Sequence, residues 1–262
     1  MTADARSTSA SPAGPDVGGN RFAWDTRRIS WTASLQGPWR HAAISPVFLG
    51  WLMEEVTKVG RVLDLGCGTG KLTFALAPHA AEVVGLDRDA EAIQKATRRA
   101  EAGGIANIRF AVADVEAVEY DDARWGGRPD VLTAHLCMAD ALIERAGRAL
   151  APGSHFAAVA VRMNQWKETG VPSKFAYTED SLTRGLVDAG FDIVHGRVEE
   201  EILVFGAPEE AERVLTKGGE TPKRWGLSPR REKGLRTYLR GGGKEITRKG
   251  HLLFLARKSG SA

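Results

Sequence analysis

A glycine-rich segment near residue 66 carries the residue types best suited to chemistry. It reads VLDLGCGTG over Val62–Gly70 and begins in a short apolar run. Glycines let the backbone turn sharply and approach a ligand closely. Asp87 and Asp114 close the next two apolar runs. Carboxylates there can accept hydrogen bonds from ribose hydroxyls and from an adenine amino group. The spacing therefore indicates a nucleoside-binding site.

Two nucleoside cofactors compete for this segment. The dinucleotide fingerprint G-x-G-x-x-G would place its third glycine at position 71, which holds Lys71. The third glycine comes one residue earlier, at Gly70, and Asp64 stands just before the loop. That carboxylate would repel a pyrophosphate, whereas it would attract the sulfonium and ammonium groups of S-adenosylmethionine (SAM). The loop therefore favours SAM over NAD.

Strand and helix signals alternate from about residue 45 onward. Apolar runs predict strands at 61–65, 82–86, 108–113, 131–136, 156–161, 191–194 with 198–205 as one bent strand, and 246–256. Helices are predicted between them, with starts at Ser45-Pro46, Asp89 and Ser228-Pro229. This alternation implies a parallel sheet with helices on both faces. The fold class is a Rossmann-like, doubly wound α/β domain.

Three motifs in this order resemble those of class I SAM-dependent methyltransferases. VLDLGCGTG looks like the first motif, VVGLDRD like the acidic motif of the second strand, and AVADVE like that of the third. The resemblance covers about residues 45–205 and implies a seven-stranded sheet whose last strand is antiparallel. It also implies SAM contacts at Gly66, Gly68, Gly70, Asp87 and Asp114. The complete predicted SAM site is Asp64, Gly66, Cys67, Gly68, Gly70, Asp87, Arg88, Asp114, Val115 and His135.

The fourth strand gives information on the methyl acceptor. Methyltransferases that act on exocyclic amines of bases usually carry an Asn/Asp-Pro-Pro-aromatic motif there, and this sequence has none. Cys137 follows Leu136 rather than a proline, so it is a poor candidate for the nucleophile of a cytosine C5 enzyme. The region beyond is similar to small-molecule methyltransferases of ubiquinone, menaquinone and biotin biosynthesis, with an AGF turn at 189–191 and an insertion at about 207–244. The predicted acceptor is a small molecule or a carrier-bound group, methylated on oxygen or carbon.

The distribution of charge along the chain is compatible with a second class of acceptor. Residues 213–262 carry 14 Lys and Arg against 3 Glu, whereas the rest of the chain carries 22 against 30 acidic residues. A basic segment on an acidic body suggests an acidic partner, which is RNA, a phosphorylated metabolite or an acidic carrier protein, although a plain solvated surface gives the same composition. An RNA-modifying methyltransferase is therefore the first alternative. A SAM-binding regulatory protein without turnover is the second.

Methyl transfer from a sulfonium is an in-line displacement. The enzyme therefore acts mainly by holding the methyl donor and the acceptor in the geometry for attack, and a general base is optional. His135, at the carboxyl end of the fourth predicted strand, is the candidate general base because imidazole titrates near neutral pH. The alternative for His135 is a structural hydrogen bond beside SAM. Trp31, Arg40, Trp166 and Tyr177 are the candidate substrate residues, with core packing as the alternative for the tryptophans. No metal site is predicted.

Amino-acid composition predicts how the chain divides into segments. Residues 1–20 form a disordered tail, 21–45 a tryptophan-rich lid, 46–206 the SAM-binding core, and 207–262 a basic helical insertion with the final strand. Cys67 and Cys137 lie in unrelated contexts, which argues against a disulfide framework. No apolar run approaches the roughly 18 residues of a membrane span, and no signal pattern is present. The cytoplasm is the expected location.

Overall fold

The computed structural model describes residues 22–32, 44–56, 60–173, 175–207, 209–210 and 227–260. The strands are β1 (Asp25–Thr32), β2 (Arg61–Leu65), β3 (Glu82–Asp87), β4 (Ile108–Val112), β5 (Val131–His135), β6 (His155–Arg162), β7 (Ala176–Tyr177), β8 (Phe191–Val204) and β9 (Glu245–Lys258). The helices are α1 (Pro46–Val56), α2 (Lys71–Leu76), α3 (Ala90–Ala102), α4 (Asp140–Ala149), α5 (Glu179–Asp188) and α6 (Pro229–Arg240).

All the strands among the described residues belong to one nine-stranded sheet. Its order is β1-β8-β9-β6-β5-β2-β3-β4, and β7 pairs with the end of β6. β9 runs antiparallel to both β6 and β8, whereas the other pairs are parallel. The strand order reverses between β2 and β5, so their carboxyl ends border the crevice where ligands bind in doubly wound sheets.

Hydrophobic layers cover both faces of the sheet. One cluster packs α1 and α2 against the sheet through Phe48, Leu52, Leu72 and Leu76. A larger cluster on the other face joins α4 and α5 to the sheet and contains apolar residues from seven of the strands. The central strands are therefore buried on both sides, which explains their continuous apolar runs.

The predicted class is confirmed, with two additions to the sheet. Seven strands, the last of them antiparallel, form the expected core. β1 extends the sheet by pairing in parallel with β8, and the short β7 joins β6. Residues 25–32 of the predicted lid segment therefore form an edge strand. Residues 1–21 and 33–43 of the predicted tail and lid, and residues 211–226 of the predicted insertion, lie outside the described part.

Residues at the ends of elements correctly predicted several boundaries. The Asp89 side chain accepts hydrogen bonds from the Glu91 and Ala92 amides and caps α3. Ser228 caps α6 in the same way through the Arg231 amide. β8 is one continuous strand with irregular pairing at Ile193/His195 and Glu201/Ile202, as the interpretation of 191–205 as a bent strand requires. Among the described residues, no helix has the length and apolar character needed to cross a membrane.

Candidate active site

The glycine loop between β2 and α2 uses backbone conformations that side chains disfavour. Gly66, Gly68 and Gly70 have φ values of 67°, 54° and 80°. A Cβ atom on Gly66 would lie 2.2 Å from Cys137 Sγ, so the β5–α4 connection packs directly on the loop. A Cβ on Gly68 would meet nothing within 4 Å. The loop is therefore closely packed at its start and open at Gly68, which leaves room for a ligand against the backbone.

Asp64 lies on β2 beneath this loop and is fully buried. The Thr73 hydroxyl of α2 donates a hydrogen bond of 2.6 Å to its Oδ2 atom. Burial raises the pKa of the Asp64 carboxyl to about 7, although the hydrogen bonds from Thr73 act in the opposite direction. The carboxyl is thus partly protonated near neutral pH, and a cationic group bound nearby would favour its charged form.

Asp87, at the end of β3, ties the loop to the sheet. Its Oδ2 accepts the Gly68 amide at 2.7 Å and its Oδ1 accepts the Asp89 amide at 2.9 Å. A carboxylate has about four lone-pair sites, so both oxygens retain acceptor capacity toward ribose hydroxyls. Because Gly68 is also the open point of the loop, Asp87 and the loop face the same space. Arg88 follows Asp87 and is exposed.

The remaining predicted SAM residues lie at neighbouring strand ends. Asp114 follows β4, is exposed, and accepts the Glu116 amide at 3.0 Å. Val115 is buried, and its carbonyl accepts a 2.6 Å bond from the Tyr120 hydroxyl. The Cys67 sulfur faces Gly85, and burial, together with Asp64 and Asp87, raises the pKa of its thiol. The thiol therefore stays protonated and packs as a small apolar group.

His135 ends β5 and lies on the sheet face covered by α1. Its ring packs near Phe48, with the two centroids 6.3 Å apart. Burial lowers the pKa of His135 to about 4, and the charges of Lys71 and Lys249 act in the same direction. The sequence-based expectation of titration near neutral pH is corrected here, because a half-buried imidazole loses solvation on protonation. His135 is neutral at physiological pH.

The four candidate substrate residues have different surroundings. The Tyr177 hydroxyl donates a 2.8 Å hydrogen bond to Asp140 Oδ1, and burial followed by this bond raises its pKa. The Trp166 side chain is 5% exposed and packs in a cluster with Leu203, Phe205, Leu235, Leu239 and Ile246. Trp31 contributes its backbone to β1, opposite Leu203 of β8. Arg40 lies outside the described residues.

Five polar residues that sequence reasoning did not select belong to the same end of the sheet. They are Ser45, Thr73, Glu199, Lys249 and His251. His251 interrupts the apolar run of β9, and among the five residues this was the strongest sequence signal of a polar residue near the site. The others come from separate elements, and no local spacing relates them.

Within the described ranges, no group of three or more His, Cys, Asp or Glu side chains is arranged to hold a metal ion.

Comparison with known proteins identifies the family. The sequence profile of a methyltransferase domain family matches residues 57–219, well over half of the chain. The chain therefore belongs to this family, and its fold and glycine loop are those of the class I SAM-dependent methyltransferases. SAM is the cofactor of this class, and the open Gly68 backbone beside Asp87 fits a nucleoside with a sulfonium side chain.

Individual relatives cover shorter parts of the sequence. A stretch of 91 residues, 34% of the chain, is 37% identical to the ubiquinone biosynthesis O-methyltransferase of Coxiella burnetii and covers 37% of that protein. A stretch of 68 residues, 26% of the chain, is 46% identical to a 23S rRNA (uracil-C5)-methyltransferase of Methylococcus capsulatus and covers 15% of it. The chain thus aligns with less than half of the length of either relative.

Similarity to solved structures extends over most of the fold. The YcgJ protein of Bacillus subtilis superposes with a TM-score of 0.60, covering 82% of this chain and 99% of that protein, at 16% identity. At this level of identity the similarity establishes the shared fold alone.

Proposed function

We propose that this protein transfers the methyl group of SAM to an oxygen or carbon atom of a small-molecule or carrier-bound acceptor. The observation that carries the proposal is the position of neutral His135 at the strand-order switch, where Cys137, two residues further on, packs against the glycine loop. An acceptor at the carboxyl end of β5 would face both the cofactor loop and this imidazole. SAM supplies an electrophilic methyl group on a sulfonium.

The protein's own residues have three roles in this proposal. The open backbone at Gly68 and the carboxylates of Asp87 and Asp114 would hold the nucleoside, and a charged Asp64 would balance the positive charge of the methionine end. The sheet end holds the acceptor in line with the methyl group, which supplies most of the rate enhancement. His135 is neutral at physiological pH and can therefore accept the proton that an attacking hydroxyl or acidic carbon loses, and its lowered pKa makes it a weaker base than an exposed imidazole.

Calorimetric titration with SAM and with NAD tests the cofactor assignment. We expect the protein to bind SAM and not NAD. Asp87→Asn should raise the Kd for SAM by roughly 10- to 150-fold, because charged hydrogen bonds contribute about 1.5–3 kcal/mol. Glu91→Gln is the matched control, since Glu91 is an exposed acid on α3 that pairs with Lys95 at 2.6 Å. Folded protein that does not bind SAM would contradict the proposal.

The RNA-modifying alternative is supported by the resemblance to the rRNA methyltransferase and by the basic C-terminal segment. Some of these cations are already paired within the protein: Arg236 with Glu232, Arg248 with Glu201, and Lys249 with Glu199. Fewer charges thus remain for phosphates than the composition suggests. RNA binding that weakens steeply with salt would favour this alternative. Product formation from any acceptor would exclude the non-catalytic alternative.

A further inference from the structure

The sheet ends at β4, which pairs with β3 on one side and with no other strand among the described residues. The Asn107 carbonyl accepts the Val83 amide at 2.9 Å and so points toward β3. Backbone groups alternate in direction along a strand, so the N–H and C=O groups of Ile108, Phe110 and Val112 point away from β3. The edge therefore presents a row of donors and acceptors to a further strand.

β4 lacks the features that usually prevent an edge strand from pairing. It contains no proline, its register with β3 is regular, and its single charged residue, Arg109, is held by Glu82 at 2.6 Å. The opposite edge strand, β1, carries the exposed residues Asp25, Arg27 and Arg28. Exposed charges discourage edge pairing, so β4 rather than β1 is the edge suited to another chain.

A groove with a volume of about 570 Å³ lies along the amino-terminal part of β4. The end of α3 and the turn after it contribute Ala100, Gly104 and Ile105 to its lining, beside Ile108 and Phe110 of the strand. The groove thus offers apolar surface next to the unpaired backbone of the edge.

Val112 is an apolar projection on the same face of the sheet. Side chains alternate along a strand, so Val112 shares a face with Ile108 and Phe110. The Phe110 ring lies 5.7 Å from that of Phe74, over which Arg99 stacks, so this is the face covered by α2 and α3. Val112 is 55% exposed and does not line the groove. β4 therefore has an apolar groove toward one end and an exposed apolar side chain at the other.

We propose that β4 forms the interface of a homodimer, in which the β4 strands of two copies pair antiparallel about a two-fold axis at Phe110. Ile108 then lies opposite Val112 of the second copy, and every outward donor and acceptor of the edge is paired. Each Val112 enters beside the groove of the other copy, where its apolar surface is removed from water. The groove and the projection are thus self-complementary, which favours a second copy over an unrelated peptide as the occupant.

Side-chain charge selects this register over its neighbours. With the axis at Phe110, Arg109 lies opposite Ala111 of the second copy. Moving the axis to Arg109 would place two like charges directly opposite each other. Moving it to Ala111 would place Ile108 opposite Asp114, beyond the end of the strand. The axis at Phe110 alone aligns the full strand without opposing like charges.

Sedimentation velocity of the full chain, from micromolar to submillimolar concentration, tests the proposal. We expect a reversible equilibrium between monomer and dimer. Hydrogen exchange, measured residue by residue by NMR over the same range, locates the interface. The amides of Ile108, Phe110 and Val112 should exchange more slowly as the dimer forms, because only the dimer pairs them. The amides of Arg109 and Ala111, which face β3, are the internal reference.

Variants at an exposed position separate association from folding. Val112→Lys places two ammonium groups per dimer against apolar surface, each at a cost of about tenfold, so the Kd for dimerisation should rise about 100-fold. Val187→Lys is the matched control, because Val187 is 57% exposed on α5, and it should leave the Kd unchanged. Val112→Pro adds no charge but removes an outward amide, and it should also weaken the dimer.

Three results would overturn this interface. One is a protein that stays monomeric over the whole range, which includes the case of an edge that binds only a different peptide. Another is a dimer that persists unchanged in folded Val112→Lys and Val112→Pro. The third is a dimer whose formation leaves amide exchange in β4 unaltered. None of these measurements requires SAM, so the proposed function is tested independently.

Discussion

Asp64 makes the stability of this protein depend on pH in a direction opposite to that of most carboxylates. Its pKa rises on folding from an ordinary value of 3.8 to about 7, because burial penalises the charged form. The folded state therefore binds this proton more tightly than the unfolded state does. The stability that results is fully present below pH 3.8 and is lost as pH rises toward 7.

The expected size of the effect follows from the two pKa values. One pKa unit corresponds to about 1.4 kcal/mol, so Asp64 lowers the free energy of unfolding by roughly 2–3 kcal/mol between pH 5 and pH 8. Asp64→Asn removes the titration and keeps an oxygen to accept the Thr73 hydroxyl. Urea denaturation of both proteins at pH 5 and pH 8 measures the difference.

Comparing the pH dependence of the two proteins cancels the titration of every other group. We expect the variant to lose roughly 2–3 kcal/mol less stability than the wild-type protein on going from pH 5 to pH 8. Thr73→Val, which removes the hydrogen bond but keeps the carboxyl, should retain or increase the wild-type pH dependence. Parallel losses in the wild-type and Asp64→Asn proteins would refute the argument that Asp64 titrates in this range.

Three further predictions concern the loop, the base and a helix cap. Gly66→Ala should destabilise the protein by about 1–3 kcal/mol because of its left-handed φ and because its Cβ would meet Cys137. Gly68→Ala should be destabilised less, by about 1 kcal/mol from its φ of 54° alone, and should in addition bind SAM more weakly; thermal unfolding and calorimetry measure the two effects. His135→Gln should lower kcat by roughly 100-fold or more, with SAM affinity measured separately by calorimetry, and equal rates in steady-state assays would remove His135 from the mechanism. Ser228→Ala should cost about 1 kcal/mol by uncapping α6, as urea denaturation would detect; an unchanged midpoint would show that the cap contributes nothing.

Secondary structure and the cofactor loop were predictable because their signals are local. A run such as Arg61–Leu65 followed by three spaced glycines defines a strand, a tight turn and a helix start within a few residues. The parallel order of the strands then requires Asp87 and Asp114 to lie at the same edge of the sheet as the loop. The same locality explains why the caps at Asp89 and Ser228 were placed correctly.

The charge state and surroundings of the site residues were not predictable in this way. His135 was selected by its position, but its low pKa results from burial and from Lys249, which lies 114 residues away in the chain. Trp166 occurs beside a strand end, yet its ring packs with residues of β8, α6 and β9. Neither result depends on the residues adjacent in sequence.

The sequence by itself determined the family and the cofactor and predicted a site at the carboxyl edge of the sheet, because motifs and periodicity are properties of short segments. Tertiary structure alone brought Ser45, Glu199, Lys249 and His251 to one face, since α1, β8 and β9 meet only through long-range pairing and packing. Tertiary structure also decided the protonation states of the buried site residues. The free energy of a charged group depends on the solvent it loses and on the charges it approaches when the chain folds.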